Sequence, residues 1–231
     1  METTQVFGPV FFLRHGQTNY TNIFPDVTEE GEHSLKTTAR EIKNVINGRH
    51  AYAAVVASPA TRALGSASII AKGLQYRGRV RTEPDIKEAG VRDKVRGMAL
   101  FNEYMKRGDS RGLAVAYSTE HYYEDPSIFE PRSEVNARFY RYLARVVRRM
   151  LFCRPGFCLV NVSHYETLYH FVENVFKLDY KKDRPLSFAE MFYMVFYETE
   201  YDNVVEIVTT FRGLTIGGVF FDHEGAKLVE L

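Results

Sequence analysis

The chain has 231 residues, of which 45% are hydrophobic and 26% charged, a composition typical of an ordinary globular protein with room for one substantial α/β domain. Its 30 basic and 29 acidic side chains leave a formal net charge of +1, so no global field favours nucleic acid or an anionic membrane as a partner. No apolar run approaches the roughly 20 residues that span a bilayer, and a cytoplasmic location is therefore expected.

The first 90 residues alternate between apolar strands and amphipathic helices. Strands are predicted at residues 6–13, 53–57 and 80–83, and helices at 30–46 and from Pro59 to about Lys72. Asn47-Gly48 and Gly73 follow the two helices as stop signals. Strand–helix alternation with short links predicts a three-layer α/β/α sandwich with a mostly parallel central sheet.

The second part of the chain begins with a polar stretch, residues 89–131, which predicts an irregular insertion with one short helix near 100–106. A strong helix then starts at Ser133, with an apolar stripe and a separate arginine face that includes Arg138 and is expected to be solvated. A buried strand at 157–162, a helix at 167–176 and strands at 191–197 and 204–210 follow, the last two forming a possible hairpin through 201–203. A single domain over residues 1–231 is the economical interpretation.

Three of the apolar strands end in polar clusters that could carry chemistry. These clusters are Arg14-His15-Gly16, Ser58-Pro59 with Arg62 one turn further on, and Ser163-His164. Ligand sites of parallel sheets lie at the carboxyl ends of the strands, so two histidines and two arginines should converge. Arginine forks hold phosphate oxygens, and a neutral imidazole between them can attack phosphorus. Such a site needs no metal, but the leaving oxygen needs a carboxylic acid nearby.

The two cysteines, Cys153 and Cys158, stand in a C-x4-C spacing without a second pair or a nearby histidine. Zinc binding is therefore not expected, and two reduced thiols are the favoured interpretation.

The sequence resembles the histidine phosphatase superfamily, that is, phosphoglycerate mutase-like proteins. The resemblance is distributed in family order over most of the chain, so it is far more specific than a lone Arg-His-Gly. It rests on these segments: Arg14-His15-Gly16-Gln17-Thr18, Thr28-Glu29-Glu30-Gly31, Ser58-Pro59-Ala60-Thr61-Arg62-Ala63, Glu88 before Gly97, Pro131-Arg132-Ser133-Glu134 followed by Arg138, and Val162-Ser163-His164.

The resemblance implies a role for each matching residue. His15 would be the nucleophile that becomes phosphohistidine, and Glu88 would protonate the leaving group and then activate water. Arg14, Arg62 and His164 would hold the phosphoryl group. Further phosphate-binding positions by this resemblance are Gly16, Thr18, Asn22 and Tyr165. Because the spacing from Glu88 to Gly97 is one residue longer than expected, Glu83 and Asp85 remain alternatives for the acid.

The resemblance therefore implies a metal-independent phosphatase that acts on a small phosphomonoester or other phosphorylated ligand without a cofactor. Two alternatives remain. A phosphomutase is disfavoured, because residues 89–98 do not match the run that follows the acid in mutases. A catalytically weak binding module of the same fold is suggested by Tyr165-Glu166, which stand where the family has Gly after the second histidine. Arg92, Lys94 and Arg96 could favour a second anionic group on the substrate. The sequence does not predict an oligomeric state.

Overall fold

A computed structural model of the chain describes residues 6–19, 26–47, 52–106, 125–152, 157–179 and 183–230. Eight strands lie in these ranges: β1 Val6–Arg14, β2 Tyr52–Ala57, β3 Arg81–Thr82, β4 Phe157–Ser163, β5 Met191–Glu198, β6 Val204–Phe211, β7 Leu214–Asp222 and β8 Lys227–Val229. The α-helices are α1 Glu29–Ile46, α2 Thr61–Gly73, α3 Lys94–Lys106, α4 Arg132–Phe152 and α5 Tyr165–Phe176, and a short 3-10 helix covers Pro84–Ile86.

The eight strands form one mixed sheet in the order β3-β2-β4-β1-β5-β6-β7-β8. The first four strands of this order are parallel, whereas β1 pairs antiparallel with β5 and all later neighbours are antiparallel. The prediction of a mostly parallel sheet is therefore wrong. The reason lies in the connections, because short turns join β5 to β8 in a meander, while parallel neighbours need a crossover such as a helix.

The hairpin predicted through residues 201–203 is confirmed by the antiparallel pairing of β5 with β6. Strands β7 and β8 were not predicted. Much of β7 is exposed, and Gly217-Gly218 interrupts its pattern, with a register shift against β6 close by. A half-exposed strand with two glycines gives little periodic signal.

Side chains from the parallel half of the sheet alternate between two cores, one on each face. Phe11 and Leu13 of β1 lie in a core shared with α1 and α2, whereas Phe12 belongs to the core shared with α4 and α5. This burial on both faces accounts for the continuous apolar runs of the central strands. The three-layer α/β/α arrangement is thus confirmed, with the sheet as its middle layer.

The predicted insertion contains more regular structure than expected. Helix α3 begins at Lys94 instead of near residue 100, and residues 107–124 lie outside the described residues. Within the described ranges, no helix has both the length and the apolar character required to cross a membrane. The single-domain organisation stays a prediction.

Candidate active site

The ends of β1, β2 and β4 bring the three polar clusters together at one edge of the sheet. The parallel register places Arg14 beside Ser163 and Ala57 beside Val162. The pairing continues one residue further, because the His15 N–H donates to the Ser163 carbonyl at 2.9 Å and the Ser58 N–H donates to the Val162 carbonyl at 2.9 Å. His15, Ser58 and His164 are therefore adjacent, although they are far apart in sequence.

His15 is held as a neutral imidazole with a defined orientation. Its side chain is buried, and its Nδ1 lies 2.8 Å from the Gly16 carbonyl oxygen. Since a carbonyl oxygen only accepts, Nδ1 carries the proton and Nε2 keeps its lone pair. Burial, together with the charges of Arg14 and Arg62, lowers the pKa of His15 well below its usual range. This ring is therefore available as a nucleophile through Nε2.

His164 is the second buried imidazole, and its ring centroid lies 5.2 Å from that of His15. Its Nε2 is 2.7 Å from Ser58 Oγ and 3.2 Å from Glu88 Oε2. Burial and then the charge of Arg62 lower the pKa of His164 well below its usual range. The site thus contains two neutral imidazoles beside two guanidinium groups, an arrangement that suits a dianionic ligand.

Arg62 lies in the first turn of α2, and its Nη2 is 3.5 Å from Glu88 Oε1. Its Nε is buried and has no hydrogen-bond partner among the described residues. A buried donor without a partner is costly unless a ligand or water satisfies it. An anion held by this guanidinium would supply the missing acceptor.

Arg14 is fixed by both hydrogen bonding and aromatic contacts. Its Nη1 donates to the Leu186 carbonyl at 2.8 Å. Its guanidinium carbon lies 3.9 Å from the ring centroid of Phe188 and 5.4 Å from that of Tyr165. Cation–π contacts of this kind restrain a guanidinium without neutralising it. The charge of Arg14 is thereby held next to His15.

The three candidate acids have different surroundings. Glu83 and Asp85 both pair with Arg145 of α4, at 3.0 and 2.8 Å. Glu88 contacts His164 and Arg62, with 37% of its side chain exposed. Of the three carboxylates, Glu88 is thus the one that the structure places against His164.

The remaining predicted phosphate-binding positions are placed differently. The Gly16 N–H donates to Ser66 Oγ at 3.0 Å, and a Cβ at Gly16 would approach Leu35 Cδ1 of α1 to 2.8 Å. The Gly31 carbonyl oxygen would lie 3.2 Å from the same Cβ, so α1 leaves little space for a side chain at this position. Thr18 is buried, and its Oγ1 has no hydrogen-bond partner among the described residues. Asn22 lies outside the described residues.

Tyr165, which stands where glycine was expected, is buried and does not project into the solvent. Its ring stacks on Tyr169 with a centroid distance of 4.7 Å, and the guanidinium carbon of Arg14 lies 5.4 Å from its ring centroid. The side chain is therefore packed beside the guanidinium of Arg14.

Two residues of this region were missed by the sequence analysis. Phe188, which packs on both Arg14 and His15, has no distinguishing sequence signal. Arg138 was assigned to a solvated helix face, but it is buried and donates to the segment that carries Glu88. The sequence signal for a role of Arg138 in the site was its position shortly after Pro131-Arg132-Ser133-Glu134, the run that opens the helix.

Two clefts adjoin the site. One, of about 410 Å³, lies next to Glu88 and is lined by Pro59, Ala60 and residues 87–91. A larger one, of about 570 Å³, lies between α1 and the β5–β6 region, and Phe188 forms part of its wall. None of the predicted site residues lines the larger cleft, so we assign the chemistry to the edge where the histidines meet.

The cations of the insertion that were expected to face the substrate are partly engaged elsewhere. Arg92 pairs with Glu134 at 2.6 Å, and Arg96 pairs with Asp125 at 2.7 Å. Their charges are compensated within the protein, which weakens the case for them as a second anion site. The described part of the chain contains no group of three or more His, Cys, Asp or Glu side chains that could hold a metal ion.

Comparison with known proteins gives one family and a consistent set of structures. The family model of the histidine phosphatase superfamily (branch 1) matches residues 10–206. No curated protein sequence matches the chain.

Three solved structures illustrate the fold that the chain shares. A phosphoglycerate mutase from Bacillus anthracis is 15% identical, with 85% of this chain and 92% of that chain covered and a TM-score of 0.61. A mycobacterial glucosyl-3-phosphoglycerate phosphatase in complex with inorganic phosphate is 19% identical, with coverage of 81% and 89% and a TM-score of 0.56. A phosphoserine phosphatase mutant from Entamoeba histolytica, in complex with phosphoserine, is 16% identical, with coverage of 92% and 96% and a TM-score of 0.51.

Proposed function

Because this chain belongs to the histidine phosphatase superfamily, we propose that it is a phosphatase that hydrolyses a phosphomonoester through a phosphohistidine at His15, without a metal ion or cofactor. The observation that carries the proposal is the neutral, oriented ring of His15 in the field of Arg14, at the end of β1, and Arg62, in the first turn of α2. Because Nδ1 carries the proton, Nε2 keeps a lone pair with which it can attack phosphorus.

In the first half-reaction, His15 Nε2 attacks phosphorus and the bond from phosphorus to the leaving oxygen breaks. Glu88, in its protonated form, gives its proton to that oxygen, so that the leaving group departs as a neutral alcohol. Arg14, Arg62 and His164 hold the non-bridging oxygens and stabilise the charge that they carry in the transition state.

In the second half-reaction, water attacks the phosphorus of phosphohistidine while the Glu88 carboxylate accepts a proton from that water. The bond between phosphorus and Nε2 breaks, phosphate is released, and Glu88 is again protonated for the next cycle. The contacts of Glu88 with Arg62 and His164 keep its carboxyl group within reach of both the leaving group and the water.

The proposal is tested with purified wild type, His15→Ala and Glu88→Gln, assayed with EDTA present on a panel of phosphomonoesters. Wild type should release phosphate and form an acid-labile, base-stable phosphoryl adduct. His15→Ala should form no adduct, and Glu88→Gln should slow turnover by about 10²- to 10⁴-fold, the usual contribution of general acid catalysis. An adduct that persists in His15→Ala would refute the mechanism. Neither adduct nor turnover in wild type would favour a binding module.

The proposed substrate class is that of phosphomonoesters. The 410 Å³ cleft next to Glu88 is the position expected for the alcohol part of the substrate, since the acid must reach the leaving oxygen. A cytoplasmic location and the absence of nucleic-acid and membrane partners stay predictions from composition.

A further inference from the structure

The segment that carries Glu88 has an unusual pattern of hydrogen bonds. It runs from the 3-10 helix to Gly90 without pairing as a strand, yet four consecutive carbonyl groups accept hydrogen bonds from side chains. The donors are Arg138 to Asp85 at 2.8 Å, Ser163 to Ile86 at 2.7 Å, Thr167 to Lys87 at 2.6 Å and Arg138 to Glu88 at 2.9 Å. Side chains thus replace the partners that a sheet or helix would supply.

Arg138 supplies two of these four bonds, and its position is itself fixed. The residue is only 4% exposed and lies on α4, with Nε donating to Glu130 Oε1 at 2.9 Å and Nη2 lying 3.3 Å from Glu130 Oε2. The planar guanidinium therefore binds two backbone carbonyl groups and one carboxylate at the same time. An ammonium group lacks the fixed, planar arrangement of donors that this requires.

Glu130 extends the same contact to the far end of the segment. Its Oε2 accepts from the Gly90 N–H at 2.9 Å, and its own N–H donates to the Gly90 carbonyl at 2.7 Å. Burial opposes ionisation of Glu130, but the hydrogen bonds from Arg138 and Gly90 lower its pKa overall. The two ends of the segment, Asp85 and Gly90, are thereby tied to one ion pair.

We propose that Arg138 and Glu130 are positioning residues that hold Glu88 in reach of the leaving oxygen, an inference that rests on the proposed function. The side chain of Glu88 is more than one-third exposed, and its contacts with His164 and Arg62 are 3.2 and 3.5 Å long. The hydrogen bonds to the backbone of this segment therefore place the carboxyl group of Glu88 where those two contacts can form. A displacement of about 1 Å at a catalytic group can cost about 10²-fold in rate.

A buried ion pair could also serve stability alone, so the test must separate stability from acid catalysis. The rate of leaving-group release in the first turnover is measured with 4-nitrophenyl phosphate, whose leaving group is acidic, and with phenyl phosphate, whose leaving group needs the proton of Glu88. The variants are Arg138→Met, Arg138→Lys and Glu130→Gln. Arg132→Met is the matched control, because Arg132 lies on the same helix and pairs with Glu173 instead.

The first turnover of phenyl phosphate should slow by about 10²-fold in Arg138→Met, while that of 4-nitrophenyl phosphate slows only a few-fold. Arg138→Lys should resemble Arg138→Met, because it keeps the charge but not the fork. Adding Glu88→Gln to Arg138→Met should cause little further loss on phenyl phosphate, since the acid is already misplaced. Arg132→Met should keep the wild-type ratio between the two substrates.

Equal losses on both substrates, or a full additional loss when Glu88→Gln is added, would overturn the inference and leave the proposed function standing. A wild type that forms no adduct and releases neither phenol would overturn both. Urea denaturation shows whether Arg138→Met is folded. If it is not, the same comparison of the two substrates is made with Glu130→Gln, and an unchanged rate ratio in that variant would equally overturn the inference.

Discussion

Gly31 lies in the first turn of α1, directly against the loop that follows His15. A Cβ built at this position would approach the Gln17 carbonyl oxygen to 2.5 Å and the Gln17 nitrogen to 2.8 Å. Both atoms belong to the backbone and cannot rotate away. The Gln17 carbonyl also accepts from the Thr28 N–H at 2.9 Å, so a methyl group here must separate α1 from this loop.

Gly65 of α2 provides a matched comparison within the same protein. A Cβ at Gly65 would meet only Val27 Cγ2, at an ordinary 3.6 Å. Ala is favoured over Gly inside a helix by about 0.8–1.0 kcal/mol, and Gly65→Ala should therefore raise the free energy of unfolding by about 0.5–1 kcal/mol. Gly31→Ala should lower it by about 1–3 kcal/mol, the usual cost of overpacking.

Urea denaturation, monitored by far-UV circular dichroism, measures both free energies of unfolding. The melting temperature should change in the same direction, by about 2–4 °C for each kcal/mol. Gly31→Ala should also slow the formation of the phosphoryl adduct, since a shift of the loop displaces His15. Equal stabilities for Gly31→Ala and Gly65→Ala would refute the argument from close backbone approach.

Two further outcomes follow from burial in the active-site half of the sheet. In ¹⁵N NMR spectra at pH 6.5, where an ordinary imidazole is half protonated, the ring of His15 should be neutral with its proton on Nδ1. The reason is that burial and the charges of Arg14 and Arg62 lower its pKa. A His15 ring that titrates near pH 6.5 would contradict this. In a Cys153→Ser variant, the thiol of Cys158 should not react with a disulfide reagent until the protein is unfolded, because burial raises its pKa to about 11; rapid modification of the native protein would contradict it.

Much of the candidate site could be predicted from sequence because its parts are local. An apolar run such as residues 6–13 specifies a strand buried on both faces, and the polar residues that follow must lie at its carboxyl end. Two such strands joined by helical crossovers place their ends at one edge of the sheet. His15 and His164 were expected to be neighbours for this reason, and their ring centroids lie 5.2 Å apart.

The antiparallel half of the sheet was harder to predict from sequence, because β7 is largely exposed and contains two glycines. The choice among Glu83, Asp85 and Glu88 was also beyond the sequence. These three carboxyl groups stand within six residues in one polar segment, where propensity and periodicity do not distinguish them.

The order of apolar and polar residues along the chain is enough to predict which side chains end the buried strands, and hence that two histidines and two arginines meet. The choice of the carboxyl group that joins them depends on contacts between distant segments. Arg145 of α4 pairs with Glu83 and Asp85. Arg138, about two turns earlier on the same helix, binds the backbone of Glu88, whose side chain lies at His164. Hydrogen bonds between segments about 50 residues apart set this orientation, and no local pattern records them.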